Sequence, residues 1–315
     1  FATMDADSAF GMFDTMGFDK ALDLEGDQLA GMFGAMGQDQ FHEMGSDQIF
    51  EAFNTMGFDQ ALGMEAEHFG FMDADSAFGM WDTMGFDRAM DLGGDQLAGM
   101  FGAMDAGQFQ DMGKDQVFEA FEAMGFDQAL GMGGDNLAGL FGTMDPGQIG
   151  GFEGIQVFDA ANQMGGESFQ FMDPDSALGM LDTMGFDTAL NLEGEKLAGM
   201  FGAMDDGMIG EFDPGQLFDA ALAMGGADFQ FMDPDSAFGM FDHMDFDKAL
   251  ELEGDKLAGM FGAMDDALIG EFDPAHLFDA AAAMQVEHFQ FMDPDSAFGM
   301  FDHMGFDKAL DLQGD

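Results

Sequence analysis

The segment FMDPDSAFGMFDHM occurs twice, from Phe231 and from Phe291, and near-copies stand at Thr3, Phe71 and Phe171. Looser copies fill the chain between them. Units numbered from the apolar residue before the acidic turn start at Met4, Leu24 and Met44; an eight-residue remnant follows at Met64, and from Met72 to Leu312 the spacing is twenty without exception. A period of this length means that each unit is one supersecondary element, which buries its apolar face only by stacking on its neighbours. One continuous solenoid over residues 1–315 is expected, a segment of a longer chain, with residues 64–71 as a truncated repeat that kinks or bulges the register.

Within the fifteen complete units the thirteenth residue is always Met, and the tenth is mostly aromatic (Phe13, Phe33, Trp81, Phe101, Phe241, Phe301). Positions six and seven trade volume, as Ala9-Phe10, Leu29-Ala30 and Ile49-Phe50 do in successive units. Such exchange implies packing at fixed depth. Three unit types alternate, clearest from Met172 onward, and impose a 60-residue supercycle on the twenty.

Asp233-Pro234-Asp235-Ser236 is a helix start: Asp233 caps the first amides, Pro234 suits the first helical position, and Asp235 favours the positive end of the dipole. Apolar residues at Ala237, Phe238, Met240, Phe241 and Met244 then form one helical face. Gly185 and Gly305, after the last Met of their units, suit a left-handed cap. The remainder of each unit alternates apolar and polar at period two, in residues 189–192, 209–212 and 229–232. The expected fold is an α/β solenoid with one short strand and one short helix per 20-residue coil. The alternative is an all-α solenoid with a 60-residue, three-helix turn. In outline the unit resembles a minimal leucine-rich repeat, with Leu190-Asn191-Leu192 as its leucine-x-leucine strand. The consensus asparagine of that family is missing, so the resemblance is one of architecture.

Charge narrows the function. There are 63 Asp and Glu against 7 Lys and Arg. Two like charges about 5 Å apart repel in water by roughly 0.8 kcal/mol, and the chain holds almost no internal counter-charge. Bound cations or high ionic strength must offset the sum. Such a surface repels nucleic acid and anionic lipid, so neither is expected as a partner, and no apolar run reaches the length of a membrane span. With no cysteine, disulfides are excluded.

The residues fitted to chemistry are the paired carboxylates Asp5/Asp7, Asp73/Asp75, Asp173/Asp175, Asp233/Asp235 and Asp293/Asp295. Stacked turns would align them into columns of oxygen ligands suited to calcium; the competing reading is helix caps on a solvated acidic face. The methionines read as core filling rather than a copper site. The six histidines, including His243 and His303 sixty residues apart, have no zinc spacing and read as surface residues. No nucleophile elbow or phosphate loop occurs, so no enzyme is expected, and no cofactor besides calcium.

The expected function is a structural extracellular or cell-surface repeat protein, such as a filament, sheath or adhesin stalk, with calcium in its turns. Its expected partners are its own copies or a protein repeating at 60-residue intervals. The alternative function is a scaffold that binds protein or ligand on a concave strand face. A high-salt cytoplasm is the alternative location.

Overall fold

The structure, a computed structural model, describes residues 6–33, 35–36, 40, 43–44, 48, 51–52, 55–56, 66–70, 72–309 and 312. Contacts divide the chain into two compact units, residues 1–140 and 141–315. Among the described residues every element is helical and there is no strand. This overturns the α/β solenoid and leaves the all-helical alternative.

In the second unit each twenty-residue repeat is a longer helix followed by one short helical turn. Pro174–Met184 is followed by Phe186–Ala189, Gly194–Gly202 by Asp206–Ile209, and Pro214–Ala223 by the 3₁₀ turn Asp228–Phe231. The same order recurs sixty residues later, from Pro234–Met244 to Val286–Phe291. In the first unit Ala74–Met84, Phe86–Ala89, Gly94–Ala103 and the 3₁₀ turn Ala106–Asp111 follow the same plan.

The expected strands at 189–192, 209–212 and 229–232 are helix ends and turns. The amide of Leu192 donates to Ala189 O at 2.9 Å, that of Phe212 to Ile209 O at 3.2 Å, and that of Met232 to Phe229 O at 3.0 Å. The first and last residues of each segment, three apart as Ile209 and Phe212 are, share one face of a helical turn and would point to opposite faces of a strand. Their side chains enter the core together: Ala189, Ile209 and Phe229 are fully buried. The leucine-x-leucine resemblance falls with the strand, since Leu190 caps the helix Phe186–Ala189.

Isolated four-residue helices are unstable in water, so packing must hold them. Gly194–Gly202 packs against the 3₁₀ turns Gly166–Phe171 and Asp228–Phe231, the first in the repeat two before it and the second in the repeat that follows. Aromatic rings at position ten meet edge to face across one repeat, Phe241 on Phe261 and Trp81 on Phe101, each with centroids 5.1 Å apart. Such pairs add about 0.5–1.5 kcal/mol beyond the area they bury. The position-thirteen methionines belong to this core, with Met144, Met164, Met224 and Met244 fully buried.

A second set of links ties repeats of the first two types to the repeat two before them. The last carbonyls of a helix have no partner in their own ladder. Ser176 Oγ donates to Met144 O at 2.7 Å, Ser236 Oγ to Met204 O at 2.8 Å, and Ser296 Oγ to Met264 O at 2.9 Å. Lys196 Nζ reaches Asn162 O at 2.7 Å, and Lys256 Nζ reaches Leu222 O and Met224 O, both at 2.6 Å. In the first unit, Asn136 Nδ2 donates to Phe101 O and Gly102 O. All six donors occupy position five of their repeats. The recurring bonds therefore span two repeats, and the 60-residue period appears as the identity of the donor.

Close approach also needs glycine. A Cβ on Gly142, Gly202 or Gly262 would lie 2.6 Å from the carbonyl oxygen of Phe171, Phe231 or Phe291. The expected left-handed caps are only half right. Gly185 and Gly305 have φ of 82° and 88°, but ψ of 140° and 135° places them outside the left-handed helical region.

The described part of the remnant at 64–71 is helical. Residues Ala66–Phe69 form a helix with Phe69 fully buried. MEAEHFGF aligns with MGGESFQF from Met164, the closing part of a third-type repeat. It packs on Gly94–Ala103 as Gly166–Phe171 packs on Gly194–Gly202. The long helix of that repeat is what is missing.

Candidate functional site: the acidic turns

Each acidic pair divides its labour. Asp73, Asp173, Asp233 and Asp293 are helix N-caps in extended conformation, and each accepts from the amide of the Ser three residues on, at 2.8–3.1 Å. The hydroxyl of that Ser also lies within hydrogen-bond reach of the same carboxylate in Asp173, Asp233 and Asp293, so its single proton is shared between that carboxylate and the earlier carbonyl. These acids are committed to their own helices. At Asp293, partial burial pushes the carboxyl up, but the hydroxyl and amide of Ser296 and the amide of Asp295 outweigh it and hold the group below its ordinary value.

The second acids, Asp75, Asp175, Asp235 and Asp295, lie in the first helical turn and are exposed. Asp7 and Asp75 each accept from a glutamine 33 residues on, Gln40 at 2.9 Å and Gln108 at 3.3 Å. The residues at the same offset from Asp175 and Asp235 are Met208 and Leu268, which cannot donate. Asp5 lies outside the described residues.

Stacking does bring two sets of acids together. A groove of about 720 Å³ in the second unit runs between the start of Asp206–Ile209 and the start of Pro234–Met244. Asp205, Asp206, Asp233 and Asp235 line it together with Met204, Phe238 and Leu268. Asp205 is itself a cap, accepting from Met208 N at 2.9 Å, and Asp206 Oδ1 lies 3.2 Å from His243 Nε2. The pair recurs as Asp266 and His303 at 3.1 Å.

Calcium takes six to eight oxygens. Among the described residues no three Asp, Glu or His side chains converge where they could hold an ion, so the turns line up without forming a coordination sphere.

Two features lay beyond the sequence reading. The Asp–His pair joins residues 37 apart, and only the fold brings them together. The position-five donors were visible as a column of Ser, Gln, Asn, Lys and His running from Ser8 and Gln28 to His276 and Ser296, yet Ser was read only as part of its own cap. Not every histidine is a surface residue: His68 is 2% exposed. Among the described residues no helix is long and apolar enough to cross a membrane. Comparison with protein-family models, curated proteins and solved structures gives no match.

Proposed function

We propose that the chain is a structural repeat protein, part of a filament, sheath or stalk outside the cell or at its surface, with an acidic exterior neutralised by cations from the medium. The observation that carries this reading is the two-repeat link, made by Ser176, Ser236 and Ser296 with the same geometry at 60-residue intervals. Such a lattice spends its polar residues on rigidity and periodicity. Its partners would be further copies of itself or a protein of matching 60-residue repeat. Catalysis has no place in it, because the carboxylates nearest to serine hydroxyls serve as caps.

The test is thermal unfolding in millimolar calcium, in chelator, and in sodium chloride of matched ionic strength. Calcium should raise the melting temperature above the sodium control, and chelator should reverse the gain. Equal effects of both salts would reduce the cation part to screening and favour a high-salt cytoplasm. Electron microscopy at rising protein concentration tests the assembly, with filaments or regular lateral arrays expected.

A binding scaffold is the second reading. It cannot use a concave strand face, but the acidic groove beside Phe238 favours it.

A further inference from the structure

Going beyond the structural role, we propose that the groove between residues 205–206 and 233–238 docks a basic peptide segment of a partner protein. An apolar side chain of that segment enters beside Phe238 and Leu268, and a lysine or arginine on either side faces Asp206 and Asp235.

The floor decides against a simple ion. Phe238 and Leu268 are half-buried where the groove opens, and Met204 is buried beneath it. Apolar surface of this kind gains from covering by another apolar side chain, and a hydrated cation gives it nothing. The rim decides the sign of the partner. Four aspartates line the groove and no lysine or arginine does. The chain's own bases nearby are engaged elsewhere: Lys196 and Lys256 bind backbone carbonyls, and Lys248 lies over the Phe218 ring at 5.1 Å. His243 reaches Asp206 Oδ1 at 3.2 Å but does not line the groove.

The four acids are not equivalent. Asp205 and Asp233 have an oxygen committed to the amides of Met208 and Ser236. Asp206 and Asp235 are the first-turn acids, both exposed, and they supply the charge a partner would meet. Residue 268 explains why the groove suits a peptide here. The residue 33 positions beyond Asp75 is Gln108, which bonds to that acid; beyond Asp235 it is Leu268, which leaves the carboxylate beside an apolar wall.

The experiment is fluorescence anisotropy at about 0.15 M salt, using a labelled twelve-residue peptide with a Leu-Phe pair between two lysine pairs. Saturable binding to the whole chain is expected, weakened about tenfold by Asp206→Asn with Asp235→Asn and by Leu268→Lys. The asparagines keep hydrogen-bonding capacity and leave both N-caps intact, so that variant reads the site even if Leu268→Lys perturbs the short helix. A control peptide with Gly-Gly for Leu-Phe should bind at least tenfold more weakly. Equal binding of the two peptides, or no weakening in the double variant, would mean general attraction to a polyanion and would overturn the proposal.

Discussion

Ser236 places its hydroxyl 2.8 Å from the carbonyl oxygen of Met204, thirty-two residues earlier, while its amide donates to Asp233 in its own cap. One fully buried side chain thus starts one helix and finishes another. The link repeats at Ser176 and Ser296 and passes to lysine at Lys196 and Lys256.

Removing the donor should expose this dependence. Ser236→Ala leaves Met204 O without its donor and should destabilise the second unit by about 1–3 kcal/mol. Lys256→Met should match or exceed it, because two carbonyls lose a charged donor. Urea unfolding followed by circular dichroism measures both, and a change below about 0.5 kcal/mol in each would show that the link does not hold the stack.

Among the described residues Asp245 is the non-glycine residue at positive φ, 78°, where the equivalent positions in other repeats carry Gly85, Gly125, Gly185 and Gly305. A side chain in that region is strained by about 1–3 kcal/mol. Asp245→Gly should therefore raise stability by about 1 kcal/mol, after the entropy that glycine adds to the unfolded chain. Gly185→Ala should lower it. The two changes moving the urea midpoint in the same direction would refute the strain.

Glycines inside the long helices should respond according to their surroundings. At Gly11 an added Cβ meets nothing within 4 Å, whereas at Gly262 it meets Phe291 O at 2.6 Å. Gly11→Ala should stabilise by up to about 1 kcal/mol through helix propensity. Gly262→Ala should destabilise by about 1–3 kcal/mol, since backbone must move. Melting temperatures of the two variants shifting in opposite directions is the expected outcome.

Acid should weaken the N-cap at Asp293. The Asp293 carboxyl is held below its ordinary value of 3.8 in the folded chain. Its contribution is complete above that value and is lost as pH falls through the lower folded value. Asp293→Asn should therefore flatten the loss of stability below about pH 4. A variant that loses stability as steeply as the parent would assign the acid sensitivity to other groups.

Much of the design was legible without coordinates. The caps follow from Asp-Pro-Asp-Ser, because the chemistry of an N-cap is local. The buried methionines follow from position thirteen, because a helical face has a fixed period. The short turns are the part that the pattern of the chain does not separate from strands. Phe229-Gln230-Phe231 alternates as a strand would, whereas Ile209 and Phe212, three apart, share a face only in a helix, and four residues carry too little of either period to separate the two.

Sequence alone determined the twenty-residue units, their acidic caps, their apolar positions and the three alternating types. Tertiary structure decided which unit touches which. Asp206 meets His243, and Lys196 meets Asn162, only because each repeat lies against the one two before it. That choice depends on how glycine-sized gaps let one backbone approach another, and a distance between residues far apart in the chain is written in no single repeat. The acidic turn that opened the sequence reading is thus a cap by local rule. What gathers Asp205, Asp206, Asp233 and Asp235 into one groove is the stacking of distant repeats.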